Sequence, residues 1–136
     1  MKKLLCIAVM FMCTLGFSQS SVASKSGVFN FETETIDYGT IAKNDNGNRS
    51  FSFKNTGTAP IIITSVKGSC GCTVATKPSK PIMPNETAEI GVKYDTKRIG
   101  AFSKTITVVS NASEKSKVLR IKGSVKKGSS TQVVSN

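Results

Sequence analysis

The chain contains no histidine and no tryptophan, and 19 lysines and arginines outnumber its 8 acidic residues. The absence of histidine excludes the Ser-His-Asp triad, the Cys-His pair and every metal site that needs an imidazole ligand. Its length of 136 residues is typical of one domain. A formal net charge of +11 usually raises nucleic acid as a partner, so the destination of the protein must be considered first.

The first 18 residues have the pattern of a secretory signal peptide. Lys2 and Lys3 give a positively charged start, an apolar run follows, and Gly16-Phe17-Ser18 supplies small residues before a cleavage point. The run covers about 14 residues, whereas about 20 are needed to cross a bilayer. We therefore expect an exported protein, periplasmic or extracellular, with no transmembrane anchor in the mature chain and no nucleic-acid partner.

Removal of residues 1–18 changes the composition on which function depends. Loss of two lysines lowers the net charge from +11 to +9, and loss of two cysteines leaves Cys70 and Cys72. Met83 becomes the one remaining methionine. Because exported proteins meet oxidising surroundings, in which thiols tend to pair, the two remaining cysteines are of particular interest.

Short runs of alternating apolar and polar residues recur after residue 27, separated by turn-forming segments. Phe51 and Phe53 alternate with polar neighbours, as do Ile90, Val92 and Tyr94. Almost no segment after residue 18 has a helical period. The pattern predicts an all-β antiparallel β-sandwich of seven or eight strands over residues 28–127. Residues 19–27 are expected to form a flexible leader, and residues 128–136 a polar tail.

Several motifs between Phe29 and Val125 occur together in this chain. They are Tyr38-Gly39-Thr40-Ile41, Phe51-Ser52-Phe53-Lys54-Asn55-Thr56-Gly57, Pro60 before three isoleucines, Ser69-Cys70-Gly71-Cys72-Thr73, Tyr94-Asp95, Arg98 with Gly100 and Phe102, and Ser110-Asn111. The set resembles the family called domain of unknown function 1573, exported Ig-like proteins common in Bacteroidetes. The resemblance implies an Ig-like sandwich, similar in outline to Hydin-type and major-sperm-protein-type domains, and no established activity.

One position departs from the family pattern. Asn85 stands where the family usually has glycine after proline. Asparagine also tolerates the left-handed backbone conformation, so we expect the turn to be kept.

Cys70 and Cys72, separated by Gly71, are the main candidates for chemistry. In one interpretation they are a structural pair, either a disulfide or two small buried side chains. A disulfide across so short a loop restrains the unfolded chain little, which favours a functional role. In a second interpretation they are a redox dithiol, and Lys67 and Lys77 nearby in sequence favour the thiolate.

The third interpretation of the cysteine pair is a metal site. Two thiolates do not complete a tetrahedral zinc site, and the chain has no histidine to add. Cu(I) is a soft ion that accepts few ligands, so Cys70 and Cys72 suit it, with Met83 as a candidate third ligand.

A basic cluster lies towards the C-terminus of the chain. Its members are Lys115, Lys117, Arg120, Lys122, Lys126 and Lys127. One interpretation is the solvated face of an edge strand, where lysine hinders edge-to-edge aggregation. The other is a contact with an anionic surface, such as polysaccharide, lipid head groups or an acidic protein.

The sequence thus favours a non-catalytic binding or structural module of the bacterial cell envelope, with no cofactor. The expected partner is an envelope protein or an anionic polysaccharide. The alternative is a thiol-redox or Cu(I)-binding protein that uses Cys70-Gly71-Cys72.

Overall fold

The computed structural model describes residues 24–128, which form eight β-strands in two four-stranded sheets. The strands are β1 (Phe29–Phe31), β2 (Thr35–Ala42), β3 (Asn48–Asn55), β4 (Ile63–Gly68), β5 (Thr73–Thr76), β6 (Thr87–Tyr94), β7 (Gly100–Ser110) and β8 (Ser116–Lys126). Sheet 1 has the order β1-β3-β6-β5, and sheet 2 has the order β2-β8-β7-β4. The predicted all-β sandwich is confirmed.

Two predicted segments fall wholly or largely outside this part of the chain. The signal peptide of residues 1–18 lies outside the described residues, as does the tail from residue 129 onwards. Within residues 24–128, no helix is long and apolar enough to cross a membrane.

The pairing of β2 with β8 departs from the antiparallel arrangement that the sequence predicts. These two strands are parallel, with Thr35 opposite Arg120 and Ala42 opposite Lys126. The other five strand pairs are antiparallel. The exception arises because the chain crosses from sheet 1 to sheet 2 between β1 and β2 while keeping its direction. β2 therefore joins sheet 2 beside a strand that runs the same way.

Alternation along the strands places one side of each sheet in a common core. Because neighbouring residues of a strand face opposite sides, every second side chain meets the other sheet. The largest fully buried apolar side chains are Phe51, Phe53, Ile61, Ile90, Ile106, Val108, Leu119, Ile121 and Val125. Burial of each contributes about 1.5–3 kcal/mol, so the core supplies the main favourable free energy of folding.

The loops gather at two opposite ends of the sandwich. The cysteine end consists of the loops 43–47, 69–72 and 95–99, and the asparagine end consists of the loops 56–62, 77–86 and 111–115. Backbone hydrogen bonds link the loops at each end. Asp95 N donates to Cys72 O at 2.9 Å at the cysteine end, and Asn111 N donates to Ile62 O at 3.2 Å at the asparagine end.

Two residues with positive φ, Gly39 and Asn85, account for the residue types found at these positions of the sequence. Gly39 has φ of 62° and interrupts β2 at a bulge, where its N–H donates to Asp37 Oδ1 at 2.8 Å. A positive φ is strained for most residues, which accounts for glycine in the Tyr38-Gly39 motif. Asn85 has φ of 67°, so it adopts the left-handed turn expected in place of glycine.

The sandwich begins before β1. Ser26 O accepts hydrogen bonds from Thr58 N at 3.0 Å and Ala59 N at 3.3 Å, and Gly27 O accepts one from Ser113 N at 2.8 Å. Ser26 and Gly27 belong to the predicted leader by sequence, but these bonds tie them to the asparagine end.

Candidate functional site

The cysteine pair lies in the loop that carries the chain from sheet 2 to sheet 1. The sulfur atoms of Cys70 and Cys72 are at bonding distance, and their Cα atoms are 5.3 Å apart. Cys72 is buried, with 5% of its surface exposed, whereas Cys70 is half-buried. Gly71 between them is exposed, which leaves the outer side of the loop open to solvent.

Residues on both sides hold this loop in place. Ser69 N donates to Thr105 O at 2.8 Å, and Thr105 N donates to Ser69 Oγ at 3.2 Å. On the other side, Asp95 N donates to Cys72 O at 2.9 Å. The loop is therefore fixed to β7 in sheet 2 and to the end of β6 in sheet 1.

An open depression of about 400 Å³ adjoins the pair, lined by Gly71, Cys72, Val74, Lys93, Asp95 and Lys97. The carboxylate of Asp95 is engaged locally, since it accepts a hydrogen bond from Lys97 N at 3.1 Å and lies 3.6 Å from Arg98 Nε. Among residues 24–128, no carboxylate oxygen lies within 4.0 Å of the ammonium groups of Lys93 and Lys97. Lys93 and Lys97 therefore line the depression next to Cys72 without a direct ion pair to a described carboxylate.

A cluster of buried aromatic side chains packs beneath the loops of the cysteine end, on the core side. The Phe102 ring stacks on Tyr94 with centroids 3.8 Å apart, and Tyr38 meets Phe102 edge-on at 5.3 Å. The buried Tyr38 hydroxyl donates to Gly47 O at 2.8 Å, and the Arg49 guanidinium lies 4.5 Å from the Tyr38 ring centroid. These contacts attach the loop 43–47 to the core.

Burial affects the ionisation of both tyrosines at this end. It raises the pKa of Tyr38 and of Tyr94 above the ordinary value of 10.0, because the phenolate is poorly solvated there. The charges of Arg49 and Arg98 oppose the increase in part.

Met83 does not join Cys70 and Cys72. It lies at the asparagine end, where its N–H donates to Glu86 Oε2 at 2.8 Å just before β6 begins. Cys72 is hydrogen-bonded beyond the other end of β6, an eight-residue strand about 23 Å long. A Cu(I) site that includes Met83 is incompatible with this placement, so the Cu(I) hypothesis is limited to the two cysteines. Within residues 24–128, no three His, Cys, Asp or Glu side chains form a ligand group.

The basic cluster does not lie on an edge strand. β8 lies inside sheet 2, between β2 and β7, so the edge-strand interpretation is wrong. Arg120, Lys122 and Lys126 share the outer face of the sheet, because Leu119, Ile121 and Val125 point into the core. Lys115 lies in the exposed loop 111–115, and Lys127 is exposed just after β8.

Lys117 has a different environment from the other members of the cluster. Its ammonium group lies 2.7 Å from Glu34 Oε1 and 3.2 Å from Glu114 Oε2, and 18% of its side chain is exposed. The hydrogen bond to Glu34, helped by Glu114, raises the pKa of Lys117 above 10.5. With both carboxylates beside it, Lys117 is not available for an external anion.

The sequence analysis did not identify Asn55 as a buried residue that joins loops, although its side chain forms four hydrogen bonds to backbone groups. Its side chain is fully buried, and its Oδ1 accepts hydrogen bonds from Val28 N at 3.2 Å and Gly57 N at 3.0 Å. Its Nδ2 donates to Ala59 O and Ile82 O, both at 2.9 Å. The motif Asn55-Thr56-Gly57 contained the signal, but sequence pattern identifies it as a turn and does not reveal burial.

Asn111 plays a related part at the same end. Its Oδ1 accepts from Ile62 N at 2.7 Å, and its Nδ2 donates to Pro60 O at 3.2 Å. The motifs around Pro60 and Ser110-Asn111 therefore contact each other, and the Asn111 side chain joins the loops 56–62 and 111–115.

Solved structures of low sequence identity share this architecture, and three of them illustrate it. A protein of unknown function from Porphyromonas gingivalis W83 superposes with a TM-score of 0.67 at 15% identity, over 77% of this chain and 50% of that one. The ASH/PapD-like domain 7 of human CEP192 gives a TM-score of 0.57 at 10% identity, over 76% of this chain and 88% of that one. The CsuC–CsuE chaperone–tip adhesion subunit complex of Acinetobacter baumannii gives 0.52 at 10% identity, over 73% and 57%.

At these identities the similarity shows the fold alone, an Ig-like β-sandwich. This chain spans half the length of the Porphyromonas gingivalis protein. No curated protein matches the sequence. The model of the family described as a protein of unknown function, DUF1573, matches residues 29–125, the range over which the motifs resemble it. The chain therefore belongs to the DUF1573 family.

Proposed function

We propose that this protein is an exported, non-catalytic binding module of the bacterial cell envelope, and that it binds acidic polysaccharide. The signal-peptide pattern of residues 1–18 supports the location, periplasmic or extracellular. The contact surface is the basic sheet face, defined as the outer side of sheet 2 around Lys67, Arg120, Lys122 and Lys126. The clustering of these four cations on one flat face is the observation that carries the proposal.

Strand alternation and register build this face. Arg120 and Lys122 are two residues apart on β8, which separates their Cα atoms by about 7 Å, and Lys126 lies farther along the same side. Lys67 on β4 lies opposite Thr107, which in turn lies opposite Val118 of β8. The four cations are thus spread over a strip that an extended chain can follow.

The basic sheet face carries little negative charge to compensate. Asp37 is its one acidic residue among the strand positions, and its Oδ2 lies 3.5 Å from Lys122 Nζ. The backbone N–H of Gly39 holds the pKa of Asp37 below its usual 3.8, with a further contribution from Lys122. Asp37 therefore stays ionised at neutral pH and offsets one of the four positive charges.

Hydroxyl groups alternate with the cations. Arg120 lies between Thr35 of β2 and Thr105 of β7, and Lys122 has Ser103 as its neighbour on β7. A flat surface of cations and hydroxyls offers charge pairing and hydrogen bonds at once, which is the chemistry that recognises uronic acid or sulfated sugars. An acidic polysaccharide therefore fits this face better than an apolar partner does.

One structural neighbour takes part in a protein complex. The Acinetobacter baumannii neighbour belongs to a chaperone–tip adhesion subunit pre-assembly complex. An envelope protein with an acidic surface is the competing partner, and the test below separates it from a polysaccharide.

The test measures the affinity of the exported chain for alginate, a polyuronate, with neutral dextran as the reference polymer, by isothermal titration calorimetry. We expect binding to alginate that weakens as salt rises, and no binding to dextran. The triple variant Arg120→Gln, Lys122→Gln and Lys126→Gln should bind about tenfold more weakly, since three exposed charge contacts contribute about 0.5 kcal/mol each.

A matched variant removes the same charge elsewhere. Lys54→Gln, Lys77→Gln and Lys80→Gln replaces three exposed lysines outside sheet 2. We expect it to keep the affinity of the unchanged protein. Equal losses in both triple variants would mean that net charge alone drives binding, and an absence of alginate binding would exclude the polysaccharide in favour of a protein partner.

A further inference from the structure

The geometry of the cysteine end points to a second activity, separate from the basic sheet face. We propose that Cys70 and Cys72 form a reversible disulfide that exchanges with a dithiol protein, and that the incoming thiolate attacks Cys70. Access to the pair, the surroundings of the leaving sulfur and the attachment of the loop each support this assignment.

The two cysteine residues differ in exposure. Cys70 is half-buried, whereas Cys72 is 5% exposed. A side-chain carbon placed on Gly71 would meet no atom within 4 Å apart from those of its neighbours Cys70 and Cys72, so no other part of the chain covers the loop there. A partner thiolate approaching from solvent therefore reaches Cys70 first, and exchange requires such direct access to one sulfur.

The surroundings of Cys72 suit a leaving thiolate. Lys93 and Lys97 line the same depression as Cys72, and the nearby Asp95 carboxylate is engaged with Arg98 and the Lys97 N–H. The Thr73 hydroxyl lies 3.9 Å from each cysteine sulfur, within reach of a weak hydrogen bond. Positive charge near a thiol favours its thiolate, and a more stable leaving thiolate departs faster.

The anchors on either side limit any rearrangement to the loop itself. Ser69 is bonded twice to Thr105, and Asp95 N holds the carbonyl of Cys72. Separation of the sulfurs therefore leaves β4 and β5 in place. The reduced loop can close again without refolding of the sandwich.

The exchange is balanced in two steps. A thiolate of the dithiol protein attacks Cys70 Sγ, forming a mixed disulfide and breaking the Cys70–Cys72 bond, and Cys72 leaves as a thiolate that takes a proton from water. The second thiol of the partner, after losing its proton, attacks the partner sulfur of the mixed disulfide and releases the Cys70 thiolate, which is then protonated. The pair is reduced by two electrons, and the partner dithiol is oxidised to a disulfide.

The first experiment compares the two cysteines in the folded protein. The single variants Cys72→Ser and Cys70→Ser each retain one thiol of the pair. The folded protein reacts with 5,5′-dithiobis(2-nitrobenzoate), and the modified thiol is then quantified on the proteolytic fragment 68–93. That fragment contains both positions and no other cysteine. Because the thiolate is the reacting form, the two rates are compared at about pH 9.5, where both thiols are largely ionised, and we expect Cys70 to react at least tenfold faster than Cys72. Equal rates, or faster reaction at Cys72, would overturn the assignment of the attacked sulfur.

The second experiment tests the role of the lysines without changing a cysteine. The rate at which dithiothreitol reduces the pair is measured in the unchanged protein and in Lys93→Gln with Lys97→Gln. We expect reduction to slow about three- to tenfold, with a smaller difference at high salt, because two charges near the leaving thiolate are lost. The matched variant Lys77→Gln with Lys80→Gln should reduce at the original rate.

Two results would contradict the exchange proposal as a whole. One is reduction that occurs only when the sandwich unfolds, monitored by circular dichroism in the same samples. The other is a pair that remains as free thiols in the presence of oxidised glutathione. Neither result bears on alginate binding, so this proposal and the polysaccharide proposal fail independently.

Discussion

At the asparagine end, the buried amide of Asn55 links three chain segments, whereas at the cysteine end a tyrosine hydroxyl, stacked rings and a disulfide hold the loops. The amide side chains of Asn55 and Asn111 do not ionise between acid and alkaline pH, and they have no redox chemistry. A tyrosine hydroxyl ionises at alkaline pH, and a cysteine pair can be oxidised or reduced. The amide contacts at the asparagine end therefore do not titrate, whereas the tyrosine and cysteine contacts at the other end respond to pH and to reductant.

This difference separates the main stabilising contacts from the proposed exchange site along the molecule. Asn55 satisfies four backbone groups without a titratable atom, so its contribution is constant in any compartment. The cysteine end places its chemistry in a short loop anchored by Ser69 and Asp95, where a change in covalent state has local effects. Loops positioned by a rigid scaffold are the usual place for binding and chemistry.

The largest expected effect is at the asparagine end. Asn55→Ala removes four hydrogen bonds, three part-buried and one buried, from backbone groups of Val28, Gly57, Ala59 and Ile82, of which Ile82 O keeps a bond from Ile61 N. We expect the free energy of unfolding to fall by about 3–5 kcal/mol, measured by urea titration. Asn30→Ala, on the exposed side of β1, is the control and should change stability by less than about 0.5 kcal/mol. A loss below 1 kcal/mol in Asn55→Ala would show that the amide network is not what closes this end.

A smaller effect is expected from the tyrosine at the other end. Tyr38→Phe removes the hydrogen bond to Gly47 O, but that carbonyl keeps its bond from Tyr94 N at 3.0 Å. The expected loss in unfolding free energy is about 1 kcal/mol, again by urea titration. A loss as large as that of Asn55→Ala would remove the contrast between the two ends.

Alkaline pH should weaken the cysteine end. Because burial raises the pKa of Tyr38 and Tyr94, their stabilising contribution is fully present below pH 10 and is lost as the pH rises above that value. The chain has two tyrosines and no tryptophan, so absorbance at 295 nm reports on this end. We expect the titration midpoint of the folded protein to lie above 10 and that of the urea-unfolded chain at 10. Coincident midpoints would be inconsistent with buried hydroxyls.

The smallest expected effect concerns the surface ion pairs of Lys117 and Lys122. Lys117→Gln breaks contacts with Glu34 and Glu114 at 2.7 and 3.2 Å, and we expect a loss of about 0.5 kcal/mol that shrinks in high salt. Lys122→Gln, which affects the more exposed pair with Asp37, should leave stability unchanged. A larger effect at Lys122 than at Lys117 would contradict their different burial.

The strands themselves could be predicted because alternation has a simple physical cause. Side chains of Ile90, Val92 and Tyr94 must share one face, whatever the strands beside them are. The same alternation does not determine which strands are neighbours in a sheet. The parallel pairing of β2 with β8 and the interior position of β8 therefore could not be predicted from it. The role of Arg120 and Lys122 on a sheet face follows from that interior position.

Sequence distance misled the placement of Met83. It lies 11 positions after Cys72 in the sequence, yet β5 and the loop 77–86 carry the chain to the opposite end of the sandwich. Asn55 was hidden for a related reason. Its burial depends on the meeting of Val28, Ala59 and Ile82, which come together through tertiary folding alone.

The most direct test of the contrast between the ends is amide hydrogen exchange with and without dithiothreitol. Thr73 N donates to Cys70 O and Asp95 N to Cys72 O, whereas Asn55 N donates to Glu86 O and Asn85 N to Asn55 O. We predict that reduction speeds exchange at Thr73, whose partner Cys70 O lies within the loop, and that Asp95, which anchors the loop, stays protected together with Asn55 and Asn85. Equal acceleration at both ends, or no change at the cysteine end on full reduction, would contradict the account.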